Sequence, residues 1–76
     1  MDIDLARTFL EIVRHGSLAA AAQKLFVTQT AITARVQKLE GQLGSTLFVR
    51  NRAGAKLTAN GEAFVVYANQ LVQTWE

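Results

Sequence analysis

The chain has 76 residues, half of them hydrophobic and 18% charged, which describes one small domain rather than a disordered tail. It has no cysteine and one histidine, His15, so disulfides, thiolate nucleophiles and cysteine-based zinc sites are excluded and His15 cannot hold a metal alone. The net charge of +2 is modest, and no uncharged apolar run approaches the roughly 18 residues of a membrane span.

The sequence predicts four helices and one hairpin. The first helix spans residues 4–14. Asp2 and Asp4 favour its start and Arg14 and His15 its end through the helix dipole. Ala6, Phe9, Leu10 and Val13 form one apolar stripe, and Gly16 stops the helix. The start, Met1-Asp2-Ile3-Asp4, is acidic and lacks the basic and apolar stretches of a signal peptide. The second helix lies within residues 17–25. Ser17 caps it, and Leu18, Ala22 and Leu25 give its buried side. The alanine run at residues 19–22 reads as core packing. Phe26 and Val27 make a tight connection to the next helix.

The third helix opens at Thr28, a good N-cap, and runs to Leu43 before Gly44. Ile32, Val36, Leu39 and Leu43 make one narrow buried stripe. At 100° per residue, Thr30, Thr33, Ala34 and Gln37 point nearly the opposite way. That outer face carries hydrogen-bonding groups without charge, and Arg35 and Lys38 flank the inner stripe. The period then changes. Residues 47–50 and 56–57 read as two short strands around a basic tip, residues 51–55, where Gly54 can take a positive φ. Thr58 caps a final helix whose stripe is Phe64, Ala68, Leu71, Val72 and Trp75. Its pattern reaches Glu76 with no stop signal, which reads as a truncated helix. A single core of this size supplies roughly 3–5 kcal/mol, so a partner subunit would help.

Charge is distributed unevenly. Residues 24–56 carry Lys24, Arg35, Lys38, Arg50, Arg52 and Lys56 against Glu40 alone, while both ends are slightly acidic. A basic middle suggests a localised anion-binding face. Catalysis finds no support: carboxylates are scattered, no glycine-rich phosphate loop is present, and His15 reads as a helix-end or surface histidine. Two helices joined by a short turn, the second with a polar outer face, suit a helix-turn-helix. B-DNA's major groove admits one helix and offers a distinct donor–acceptor pattern for each base pair. Thr28, Gln29, Thr30 and Thr33 supply groups that read such patterns, and the basic hairpin can grip the neighbouring backbone as a wing.

The segments Phe9-Leu10-Glu11-Ile12-Val13-Arg14-His15-Gly16-Ser17, the alanines to Ala22, and Leu25-Phe26-Val27-Thr28-Gln29 follow a known pattern. So do Ala31-Ile32-Thr33, Lys38-Leu39-Glu40, Leu43-Gly44, Leu47-Phe48-Val49-Arg50 and Leu57-Thr58-Ala59-Asn60-Gly61-Glu62. Together they resemble the N-terminal DNA-binding domain of LysR-type bacterial transcriptional regulators, over almost the whole chain. The resemblance implies a mainly α fold: a winged helix-turn-helix at residues 1–58, then a long dimerisation or linker helix at residues 59–76. It implies that Gln29 reads a base edge and that Thr28 and Thr33 lie near phosphate or base. Thr30 matches a position where serine or proline is common. Arg35 and Lys38 match polar or basic recognition-helix positions, and Arg50 and Arg52 match the basic wing. Two positions depart from the pattern: Ala34 stands where many members carry arginine, and Ala19 where serine or threonine often starts the second helix.

The expectation is therefore sequence-specific binding of double-stranded DNA by a homodimer in the bacterial cytoplasm. Phe64, Ala68, Leu71 and Val72 are expected to carry dimerisation. No catalytic residue, metal or cofactor is expected in this stretch. The resemblance implies a further C-terminal domain that takes a small-molecule co-inducer and supports tetramers. The alternative from the residues alone is an interaction module whose last helix pairs with a partner while the basic patch is incidental. RNA binding is weaker, because the stacking aromatics it needs are missing.

Overall fold

The structure, a computed structural model, describes residues 2–75. Its elements are α1 (Ile3–His15), α2 (Leu18–Leu25), α3 (Gln29–Leu43), β1 (Phe48–Asn51), β2 (Gly54–Leu57) and α4 (Ala59–Trp75). The readings placed on Met1 and Glu76 lie outside the described residues.

Each helix begins where a short polar side chain takes up a free backbone N–H. The Asp2 carboxylate accepts from the Asp4 N–H at 2.9 Å, and Ser17 Oγ from the Ala20 N–H at 3.0 Å. Thr28 Oγ1 accepts from the Ala31 N–H at 3.1 Å, and Thr58 Oγ1 from the Gly61 N–H at 3.0 Å. A cap of this kind contributes about 1 kcal/mol. Gly16 and Gly44 end α1 and α3 in the left-handed conformation, as their positions predict. α2 ends the same way without glycine: Phe26 itself adopts φ 58°, ψ 42°. The Val27 N–H reaches back to the Ala22 carbonyl at 3.0 Å, closing the turn between α2 and α3.

The core centres on Phe9 of α1. Its ring lies 5.2 Å from Phe48 of β1 and 5.0 Å from Phe64 of α4, the latter edge-on. One aromatic cluster therefore ties the helical body, the hairpin and the last helix together. Ile32, Val36 and Leu39 of α3 join that core as the stripe predicts, with Leu43 packed at its margin. In α2 only half of the alanine run is core. Ala21 and Ala22 are buried, Ala20 is half-buried and Ala19 is exposed, so the expectation that the whole run packs inside is corrected. The reason is the helical period: four consecutive residues cover more than one face.

Two of the four residues expected to carry dimerisation need a correction. Phe64 and Ala68 are buried within their own subunit, where α4 packs against α1. Burial of this kind leaves Phe64 and Ala68 little surface for a second copy. Leu71 and Val72 are half-buried against the same core. Among the described residues, the large apolar side chains that α4 leaves exposed are Val66, Tyr67 and Trp75.

The two strands pair antiparallel from Phe48↔Leu57 to Asn51↔Gly54. The tip is thus a two-residue turn, Arg52-Ala53, tighter than the five-residue tip expected. Asn51 Oδ1 accepts from the Ala53 N–H at 2.9 Å and holds the turn. Gly54 has φ 132°, and a Cβ there would overlap the Gly16 carbonyl oxygen. The same carbonyl accepts the Ala55 N–H at 2.9 Å, so the hairpin leans on the end of α1. An isolated hairpin is marginal, and this bond with the burial of Phe48 fixes it to the body.

Gly61 shows how closely α4 approaches. A Cβ at this position would overlap the Leu47 carbonyl oxygen and crowd Leu57 Cδ2 at 2.9 Å. Gly61→Ala is expected to destabilise the fold by about 1–3 kcal/mol through overpacking. The check is the urea midpoint, and an unchanged midpoint would mean that the first turn of α4 has room to retreat.

Candidate nucleic-acid interface

The third helix offers a continuous exposed surface beginning at its cap. Thr28, Gln29, Thr30, Ala34, Gln37 and Lys38 are exposed, and Thr33 is half-buried beside them. This follows from the buried stripe: once Ile32, Val36 and Leu39 face inward, the opposite positions stay wet. The wing stands beside the start of this helix. Ser17 and Ala19 at the start of α2, Gln29, and Arg50, Asn51 and Arg52 of the wing line an open cleft of about 520 Å³. The cleft exists because Gly16 both ends α1 and receives the wing through Ala55. It brings together Gln29, Arg50 and Arg52, three of the residues predicted from the sequence. Thr28, Thr30, Thr33 and Lys38 continue along α3.

Electrostatics sharpen the asymmetry seen in the sequence. The acids of α1 are occupied: Asp4 lies 3.4 Å from Arg7, and Glu11 lies 3.1 Å from both Arg14 and His15. His15 is a helix-end histidine, as expected. Among the described residues, Lys24, Lys38, Arg50, Arg52 and Lys56 make no ion pair and are exposed. Cations without a paired carboxylate form a field for an anion, and Arg50 and Arg52 of the wing are two that share one cleft.

Arg35 sits differently from the other cations. It is half-buried, and its Nη1 donates to Thr8 Oγ1 at 3.2 Å. Thr8 is the one buried polar side chain described. The pair ties α3 to α1 across the core, which the sequence did not announce. Glu40 was also missed. This lone acid of the basic stretch turns away from the surface, and its Oε2 accepts the Leu47 N–H at 2.7 Å and the Phe48 N–H at 3.4 Å. It thereby fixes the start of the wing to the end of α3. The only signal available was its isolation among six cations.

Among the described residues, no group of three or more histidines, aspartates or glutamates is placed to hold a metal, and no helix is long and apolar enough to cross a membrane. What the surface offers is a polar helix face, a basic wing and a cleft between them. That set can take a polyanion whose edges carry hydrogen-bonding groups.

The model of the bacterial regulatory helix-turn-helix protein, lysR family, matches residues 3–62. The HTH-type transcriptional regulator HdfR of Shigella boydii serotype 18 is 45% identical over 76 residues, covering 100% of this chain and 27% of the relative. HdfR of Escherichia coli O139:H28 gives the same identity and coverage. The chain thus spans about a quarter of the length of these curated relatives. Among solved structures, the CbnR_DBD–DNA complex superposes with TM-score 0.94 and 36% identity, over 97% of this chain and 85% of that one. The BenM_DBD/benA site 1 DNA complex gives 0.90 and 32%, over 97% and 83%. The capped helices, the two-stranded wing and the exposed third helix are the parts of a winged helix-turn-helix, and the chain belongs to the lysR family of bacterial regulatory helix-turn-helix proteins.

Proposed function

We propose that this chain binds double-stranded DNA sequence-specifically, as the DNA-binding part of a transcriptional regulator working in the bacterial cytoplasm. The observation that carries the reading is that exposed Gln29 at the start of α3 and the unpaired wing arginines line one cleft. In this reading α3 enters the major groove. Gln29, Thr30 and Thr33 choose the sequence, and Thr28, Lys38, Arg50 and Arg52 hold the backbone. Arg35 keeps one N–H on Thr8 and offers its remaining donors to phosphate. Phosphate contacts give most of the affinity and the register. No step of this reading calls on a catalytic group or a cofactor in the chain.

The proposal includes a homodimer that places two copies of α3 in successive major grooves. Exposed Tyr67 and Trp75 with half-buried Leu71 between them, spaced four residues apart along one side of α4, support a helix-mediated contact. For the full-length regulator it includes a C-terminal domain that takes a small-molecule co-inducer and supports tetramers.

The test is selection of bound duplexes from a random pool, followed by titration of a labelled selected duplex. A selected sequence bound no more tightly than random DNA would reject sequence choice. Arg52→Ala is expected to weaken every duplex alike and to lower the slope of log affinity against log salt by about one. An unchanged slope would remove Arg52 from the phosphate contacts.

A further inference from the structure

Phe26 is set apart by two independent properties. It is 95% exposed, the most exposed of the large hydrophobic side chains. It is also the one non-glycine residue with positive φ among those described. At the ends of α1 and α3 the same left-handed position is held by Gly16 and Gly44. The turn needs only the backbone shape, since its bonds run from the Phe26 and Val27 N–H groups to the carbonyls of Gln23 and Ala22. Glycine or asparagine would meet that need with less strain. The ring makes no aromatic contact within the subunit. The chain therefore carries both a backbone cost and a hydration cost at this point, with no return inside the fold. Strain of this kind points toward function.

Its location says which function. Phe26 lies two residues before Thr28, the cap of α3, and so is close in the chain to exposed Thr28, Gln29 and Thr30. α2 has eight residues and so spans about 12 Å, comparable to the width of the major groove. The far end of α2 lines the cleft with the wing arginines, and Phe26 stands at the near end.

We propose that Phe26 is a further duplex-contacting residue, whose ring packs on nonpolar C–H surface at the edge of the major groove. This rests on the duplex-binding reading above. Two parts of DNA present that surface: the thymine methyl group and the deoxyribose ring.

The experiment uses a duplex selected by the wild-type chain, with Phe26→Asn and Phe26→Tyr as variants. Phe26→Asn is expected to raise the melting temperature by about 4 °C or more, because asparagine tolerates the turn. The same variant is expected to bind the selected duplex about five- to tenfold more weakly, the loss for a ring that covers about 50 Å² of apolar surface. Phe26→Tyr keeps the ring and is expected to bind within about twofold of wild type. Replacing each thymine by uracil separates the two surfaces. A methyl contact makes one replacement weaken the wild type and not Phe26→Asn, whereas a sugar contact leaves every replacement equal in both proteins. Wild-type affinity in Phe26→Asn would overturn the proposal while leaving duplex binding intact. Loss of both stability and affinity in that variant would also overturn it, by showing that the ring serves the fold. Failure of the wild type to bind any duplex would overturn the underlying reading as well.

Discussion

Phe9→Ala is expected to bring the folded and unfolded forms close to balance at room temperature. The Phe9 ring is 1% exposed and touches both Phe48 and Phe64, so its loss opens a cavity among three elements at once. Phenylalanine-to-alanine changes in cores cost about 3–5 kcal/mol. A domain of this size has roughly 3–5 kcal/mol in total. The two figures are comparable, so the substitution removes nearly all of the stability. Far-UV circular dichroism with urea titration is the check. A sigmoidal transition at the wild-type midpoint would show that the wing and α4 do not depend on this cluster.

Gln29→Ala carries the second large effect, on binding rather than folding. Gln29 is exposed, makes no hydrogen bond through its side chain among the described residues, and lines the cleft with Arg50 and Arg52. A glutamine amide pairs with a base edge through both its donor and its acceptor. Its removal is expected to cost about 1–3 kcal/mol on the selected duplex and to relax the preference at one base pair. Random duplex should bind nearly as before, because phosphate contacts are untouched. Equal weakening on selected and random DNA would make Gln29 a general backbone contact instead. The fold should not change, since the N-cap of α3 belongs to Thr28.

How far the sequence reaches depends on whether the determining contact is local. The helix starts at Ser17, Thr28 and Thr58 are legible because each cap closes within three residues. The stops at Gly16 and Gly44 are legible because glycine is the residue that the left-handed position favours. Phe26 in the same conformation carries no such mark, so its turn could be placed but not its strain. Gly54 is readable as a positive-φ position, yet the strand ends are not, because the register rests partly on the Ala55 bond to Gly16, far away in sequence.

The same distinction governs the candidate site. A stripe on α3 predicts its own wet face, so Thr30, Ala34 and Gln37 could be singled out as exposed, with Thr33 half-buried at its margin. A stripe on α4 predicts an apolar face but not what covers it. Phe64 and Ala68 belong to α1's core, and periodicity cannot distinguish that from a second copy. Thr8 with Arg35 and Glu40 with Leu47 are contacts across the fold, and residue types alone do not pair them.

On the proposed function, the surface from Thr28 to Lys38 is kept wet in order to meet a duplex. Amide and side-chain NMR shifts during titration with a selected duplex test it most directly. Large shifts are predicted at Thr28, Gln29, Thr30, Thr33, Arg50 and Arg52, with little change at Val66 and Tyr67 on α4. Shifts gathered on α4, with the first turn of α3 unmoved, would mean that the duplex meets another face.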